Sequence, residues 1–118
     1  MPQLRLASWN VNSLKVRLPQ VLEWLELSRT DALVLQETKL TDDLFPAEAF
    51  REAGFDAVFT GQKTYNGVAL VTRKSTVRAP EAVELNIPGY PDDQKRFVSA
   101  LLAPAAEGDP IRFCGAYF

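Results

Sequence analysis

With 118 residues, 47% of them hydrophobic and 24% charged, the chain has the size and composition of one ordered globular unit, without the apolar depletion that marks disorder. Thirteen Lys and Arg against fifteen Asp and Glu leave a net charge of −2. That balance excludes a global pull towards nucleic acid or anionic membrane, so any polyanion must be gripped by a local patch.

The first predicted element is a strand, Leu4-Arg5-Leu6-Ala7-Ser8-Trp9, which alternates apolar and polar residues and then delivers Asn10, Val11 and Asn12. Leu18, Val21, Leu22 and Leu25 follow at the i, i+3, i+4, i+7 spacing of an amphipathic helix over about 17–29, with Pro19 suited to its first turn. Asp31 to Gln36 then reads as a strand buried on both faces, because Ala32, Leu33, Val34 and Leu35 form an unbroken apolar run. The resulting β-α-β unit predicts a parallel pair with a right-handed crossover. A second, short helix is expected from Pro46 to a stop at Gly54, then strands at Asp56 to Gly61 and Gly67 to Arg73, with the polar loop Gln62 to Asn66 between them. Pro80, Pro88, Gly89 and Pro91 predict an irregular surface excursion over 79–93. The last two strands, Phe97 to Ala103 and Ile111 to Tyr117, are joined by a hairpin-like connection.

The chemistry-bearing residues cluster at strand ends. Glu37 emerges at the carboxyl end of a buried strand, where open α/β sheets place their ligands, and is a metal or catalytic candidate. If the first and second strands are neighbours, Asn10 and Asn12 converge on the same rim; the alternative is that both asparagines form local turn bonds. Candidate basic patches are Lys39, Lys63, the pair Arg73 and Lys74, and the pair Lys95 and Arg96. Cys114, in an apolar run, is expected to be a small buried core residue, and a single cysteine permits no intrachain disulfide. With no histidine, neither a His metal ligand nor a His general base exists within this chain. No charged-then-apolar leader follows Met1 and no apolar run approaches the roughly 18 residues of a membrane span, so the cytoplasm is the expected compartment. The core-type strand at the carboxyl end has nothing after it to cover its second face, so the chain is expected to be cut or to need a partner.

Ser8-Trp9-Asn10-Val11-Asn12, Gln36-Glu37-Thr38-Lys39, Thr41-Asp42-Asp43-Leu44-Phe45-Pro46 and Gly61-Gln62-Lys63-Thr64-Tyr65-Asn66-Gly67-Val68-Ala69-Leu70 together closely resemble bacterial exonuclease III, the abasic-site endonuclease branch of the exonuclease-endonuclease-phosphatase superfamily. The resemblance runs in register over essentially the whole chain. It implies an α/β fold that is half of a four-layer sandwich, with two mixed sheets face to face and helices outside. The implied function is Mg²⁺-dependent hydrolysis of phosphodiesters at abasic sites and from 3′ ends of duplex DNA, with Mn²⁺ as a possible substitute ion. By matching position, Asn10 and Glu37 are the implied metal ligands and Tyr117 the active-site tyrosine. Lys63, Tyr65, Asn66 and Arg96 are the implied DNA contacts. Asn12, Gln36 and Lys39 are read as neighbours that orient Glu37 or the phosphate. From the residues alone, Tyr117 reads as a core aromatic near a strand end.

The departure from the family is large. Its second half carries an Asp-x-Asn pair, a further Asp and an Asp-His pair, none of which exists here, so residues 1–118 read as a single amino-terminal portion of the domain. Losing such groups typically costs about 10²-fold or more in rate for each. Two other readings stay open: a non-catalytic nucleic-acid-binding module of the same fold, and an inert fragment that folds only with its other half.

Overall fold

A computed structural model describes residues 3–62, 66–87, 89 and 95–117. The chain runs β1 (Leu6–Asn10), α1 (Leu14–Ser28), β2 (Ala32–Gln36), a 3₁₀ turn (Asp42–Leu44), α2 (Ala47–Glu52), β3 (Phe55–Thr60), β4 (Val68–Arg73), β5 (Glu81–Glu84), β6 (Phe97–Leu102) and β7 (Ile111–Ala116). Two sheets form. The first has the order β1-β2-β4-β3, with β1 and β2 parallel and the other pairs antiparallel; the second is antiparallel, in the order β5-β6-β7.

β2 is the hinge of the packing because both of its faces are apolar. Leu33 and Leu35 face the helices, joining Leu14, Val21 and Leu25 of α1 and Phe50 of α2 in one buried cluster. Ala32 and Val34 face the other way, joining Val68 and Leu70 of β4 with Val98, Ala100 and Leu102 of β6 between the sheets. Burying each such Val or Leu contributes about 1.5–3 kcal/mol, so the two clusters lock helices, first sheet and second sheet into three layers. Gly115 of β7 sits directly over Val34, and a Cβ there would lie 2.2 Å from Val34 Cγ1, so the sheets touch backbone against side chain.

Three sequence expectations need correction, and one element is additional to them. α1 starts at Leu14, three residues before the expected 17, which puts Pro19 inside the helix instead of in its first turn. The physical reason is that the amides of Ser13 and Leu14 donate to the carbonyls of Glu37 and Thr38, so the tail of β2 satisfies the amino-terminal amides of the helix without a capping side chain. The 3₁₀ turn at Asp42–Leu44 was not anticipated. The stretch 79–93 is not wholly irregular: β5 lies within it as a four-residue edge strand, bulged between Glu81 and Glu84, with Ala82 at φ 49. Cys114 is exposed. It lies opposite Ser99 on the face of the second sheet that looks away from the first; there Ser99 is buried and accepts from the Arg112 guanidinium at 2.9 Å, while Cys114 is left open.

Candidate metal centre and nucleic-acid face

In-register parallel pairing sets Asn10 opposite Gln36, so β1 and β2 end at the same rim. Strict alternation would send Glu37 to the helix side with Leu33 and Leu35. Instead Glu37 takes a left-handed φ of 56 and its carboxylate meets the Tyr117 hydroxyl, which donates to it from the end of the second sheet. That hydrogen bond, then the negative charge of Glu37, then desolvation raise the Tyr117 pKa above its ordinary value of 10.0, so the hydroxyl is held protonated as a donor.

The rim is knitted by backbone bonds across five chain segments. Val11 N–H donates to Gln36 O at 3.0 Å, Thr38 N–H to Gly67 O at 3.1 Å, Lys39 N–H to Asn66 O at 2.9 Å, Gly67 N–H to Lys95 O at 3.1 Å and Tyr117 N–H to Arg96 O at 2.9 Å. Of the eight non-glycine residues with positive φ among the described residues, six lie here: Asn12, Ser13, Glu37, Lys39, Asn66 and Lys95. Each left-handed non-glycine residue costs on the order of 1–3 kcal/mol and persists only where its surroundings hold it, which is characteristic of functional sites.

The side chains divide by partner. Asn10 Oδ1 accepts from the Asn12 amide at 3.1 Å, so the turn bond set out as an alternative does form, and the same oxygen keeps a second lone pair. Asn12 Oδ1 accepts from Lys39 Nζ at 2.6 Å, and Gln36 Nε2 donates to Ser8 Oγ at 2.6 Å. Asn66 is bonded to Gln62, its amide donating to Gln62 Oε1 at 2.7 Å. Arg96 joins the rim through its carbonyl. Lys63 and Tyr65 lie outside the described residues. The patch of Arg73 and Lys74 belongs to the opposite end of the sheet: Arg73 donates to the carbonyls of Thr30 and Leu25 and stacks over Phe55, and Lys74 faces Asp56 at 3.9 Å.

The residues sequence reasoning passed over are structural partners of the site. Ser8 orients Gln36. Gly67, at φ 91, approaches Thr38 so closely that a Cβ would lie 2.1 Å from the threonine Oγ1. A glycine after the polar loop was the available signal, but only the fold reveals what it touches.

As a donor set, Glu37 and Asn10 offer a carboxylate and an amide carbonyl, hard oxygens of the type Mg²⁺ takes while keeping several waters. Among the described residues no group of three His, Cys, Asp or Glu gathers that could enclose an ion. Two such donors would leave the rest of an ion's coordination to water or other groups, as Mg²⁺ allows.

The fold is that of the endonuclease/exonuclease/phosphatase family, and the chain belongs to it: the family model matches residues 7–111. Its relatives are of the exonuclease III kind. It is 33% identical over 82% of its length to exodeoxyribonuclease III of Haemophilus influenzae, of which it spans 35%. Among solved structures it is similar to a 3′ phosphatase, NExo, from Neisseria bound to a product DNA hairpin, with 42% identity and a TM-score of 0.83, covering 98% of this chain and 41% of that one. It is also similar to an AP endonuclease from Archaeoglobus fulgidus, with 37% identity and a TM-score of 0.75, covering 83% of this chain and 37% of that one. The chain therefore spans little more than a third of the length of these relatives. No helix among the described residues is long and apolar enough to cross a membrane.

Proposed function

We propose that this chain is the amino-terminal portion of a Mg²⁺-dependent DNA-repair nuclease of exonuclease III type, a cytoplasmic enzyme that hydrolyses phosphodiesters at abasic sites and 3′ ends of duplex DNA. The observation that carries the reading is the meeting of Glu37 and Tyr117 beside Asn10 at a rim shared by both sheets. Support for DNA as substrate comes from the similarity to a 3′ phosphatase solved with a DNA hairpin and to an AP endonuclease.

In this reading Glu37 and Asn10 hold the ion, which when bound stabilises negative charge on the phosphate oxygens. Tyr117 donates its one hydroxyl proton to the Glu37 carboxylate and so orients it; once an ion takes that carboxylate, the same proton would turn to a phosphate oxygen. Asn12, Gln36 and Lys39 steady these groups through the bonds described above, and Lys63, Tyr65, Asn66 and Arg96 are the proposed DNA contacts. The water-activating carboxylate and the remaining ligands belong to a carboxyl-terminal half that the relatives' greater length accommodates.

The test pairs Mn²⁺ binding, followed by the electron paramagnetic resonance of the ion, with cleavage of an abasic duplex by the 118-residue chain, verified by intact mass at 13.1 kDa. Binding is expected in the wild type and lost in Glu37→Gln, with at most feeble cleavage. Undiminished Mn²⁺ binding by Glu37→Gln would sink the metal assignment, and robust cleavage by the verified short chain would sink the division of the site between two halves. A second reading, a non-catalytic nucleic-acid-binding module, draws on the lack of a multi-carboxylate cluster among the described residues. DNA affinity that needs no Mg²⁺ and survives Glu37→Ala would select it.

A further inference from the structure

Lys39 occupies an unusual electrostatic position. Lys39 follows Glu37 by two residues at the rim, and the bonded partner of its ammonium group is the neutral amide oxygen of Asn12, 2.6 Å away. No ion pair joins it to a carboxylate among the described residues. An ammonium has three donors, so two remain after Asn12 takes one. A carboxylate in place of the amide would cancel most of the charge; an amide positions the group and leaves its full positive charge available.

The geometry is held from both sides. Lys39 takes φ 57 with its amide donating to Asn66 O at 2.9 Å, and Asn12 takes φ 43 with its amide donating to Asn10 Oδ1 at 3.1 Å. Asn12 thus links Asn10, a proposed ion ligand, to Lys39, and an anion held by Lys39 would lie next to that ion. The pair Arg73 and Lys74 differs. Arg73 is consumed by backbone carbonyls and Lys74 faces Asp56, both at the far end of the sheet.

We infer that Lys39 makes a direct contact to a phosphate oxygen of the bound nucleic acid, and that Asn12 is a positioning residue whose neutrality keeps that charge uncompensated. The inference rests on the nuclease reading above and adds to it a specific phosphate contact and the group that tunes it.

The test is fluorescence anisotropy of a labelled DNA duplex carrying a stable abasic-site analogue, titrated with the 118-residue chain over a series of salt concentrations without divalent cation. Lys39→Gln should lower the slope of log affinity against log salt by about one and weaken binding several-fold at low salt. Asn12→Asp, which tolerates the same left-handed backbone, should do likewise although it keeps the hydrogen bond. Lys39→Arg should keep the wild-type slope, and Lys74→Gln should change nothing. An unchanged slope for Lys39→Gln overturns the contact, and an Asn12→Asp variant that binds like wild type overturns the tuning role. Either result leaves the nuclease reading standing, whereas a wild-type chain with no salt-dependent DNA binding removes both. Thermal melting of each variant separates loss of fold from loss of charge, because only a phosphate contact moves the salt slope in a chain that melts as wild type does.

Discussion

Glu37 and Tyr117 show how one backbone torsion changes the chemistry of a side chain. Without its left-handed φ of 56, Glu37 would continue the alternation of Leu33 and Leu35 into the helix-facing core, where an unpaired carboxylate is strongly disfavoured. Turned the other way, it accepts the Tyr117 hydroxyl and keeps that phenol protonated beyond pH 10.0. The sign of the linkage follows. The folded pKa is raised, so the contribution to stability is present in full below pH 10 and fades as pH rises through the folded value. Titration of the phenolate absorbance in metal-free solution should show a tyrosine ionising above the ordinary value, removed by Tyr117→Phe and brought down by Glu37→Gln. A titration curve indifferent to Glu37→Gln would rule out the hydrogen bond as its cause. Which residue types gather here was legible in the motif around Glu37; the torsion that aims it was not, because non-glycine residues with positive φ have no dependable sequence signature.

At the scale of elements, the rim works because strands, helix and loops end on one another. The start of α1 is supplied by carbonyls of the β2 tail, and the loop entering β4 bonds both the β2 tail and the residues leading into β6. Gly67 is the crossing point. Its φ of 91 is strained for any L side chain, and a Cβ would lie 2.1 Å from Thr38 Oγ1. Gly67→Ala should therefore cost about 1–3 kcal/mol from backbone strain alone, with more from displacing Thr38, and should weaken Mn²⁺ binding as the turn carrying Glu37 shifts. Denaturant unfolding and metal titration of this variant check it; wild-type values in both would show that the loop is not coupled to the site. The helix spacing of Leu18, Val21, Leu22 and Leu25 made α1 readable from sequence. Its true beginning was not, because the groups that satisfy its first amides lie more than twenty residues further along the chain.

Across the whole molecule, the decisive contact is between the sheets. Val34 of β2 lies against Gly115 of β7, where a Cβ would approach Val34 Cγ1 to 2.2 Å. Neither strand can move without carrying the other, and β7 leads directly to Tyr117. Gly115→Ala should overpack this contact and destabilise the chain by about 1–3 kcal/mol, and it should also displace Tyr117 from Glu37. The expected readouts are a lower thermal midpoint and a Tyr117 ionisation returned towards its ordinary value; a variant as stable as wild type would show the sheets are not in contact there. Sequence reasoning treated the apolar run around Cys114 as core, but alternation places Gly115 inward against Val34 and Cys114 outward. Composition alone cannot tell which of two apolar faces finds a cover.

Local order was within reach of the sequence by itself: the buried apolar run of β2, the amphipathic spacing of α1, the parallel pairing implied by β-α-β, and the placing of Asn10, Asn12 and Glu37 at strand ends. These follow from periodicity and from the polarity of short segments, which are properties of neighbours along the chain. Tertiary structure alone decided that Glu37 turns towards Tyr117 about eighty residues away, that Asn12 takes Lys39 as its partner, and that Gly67 and Gly115 mark close approaches. Those outcomes depend on which distant surfaces pack together and on torsions that only the assembled fold can hold, so no local pattern encodes them.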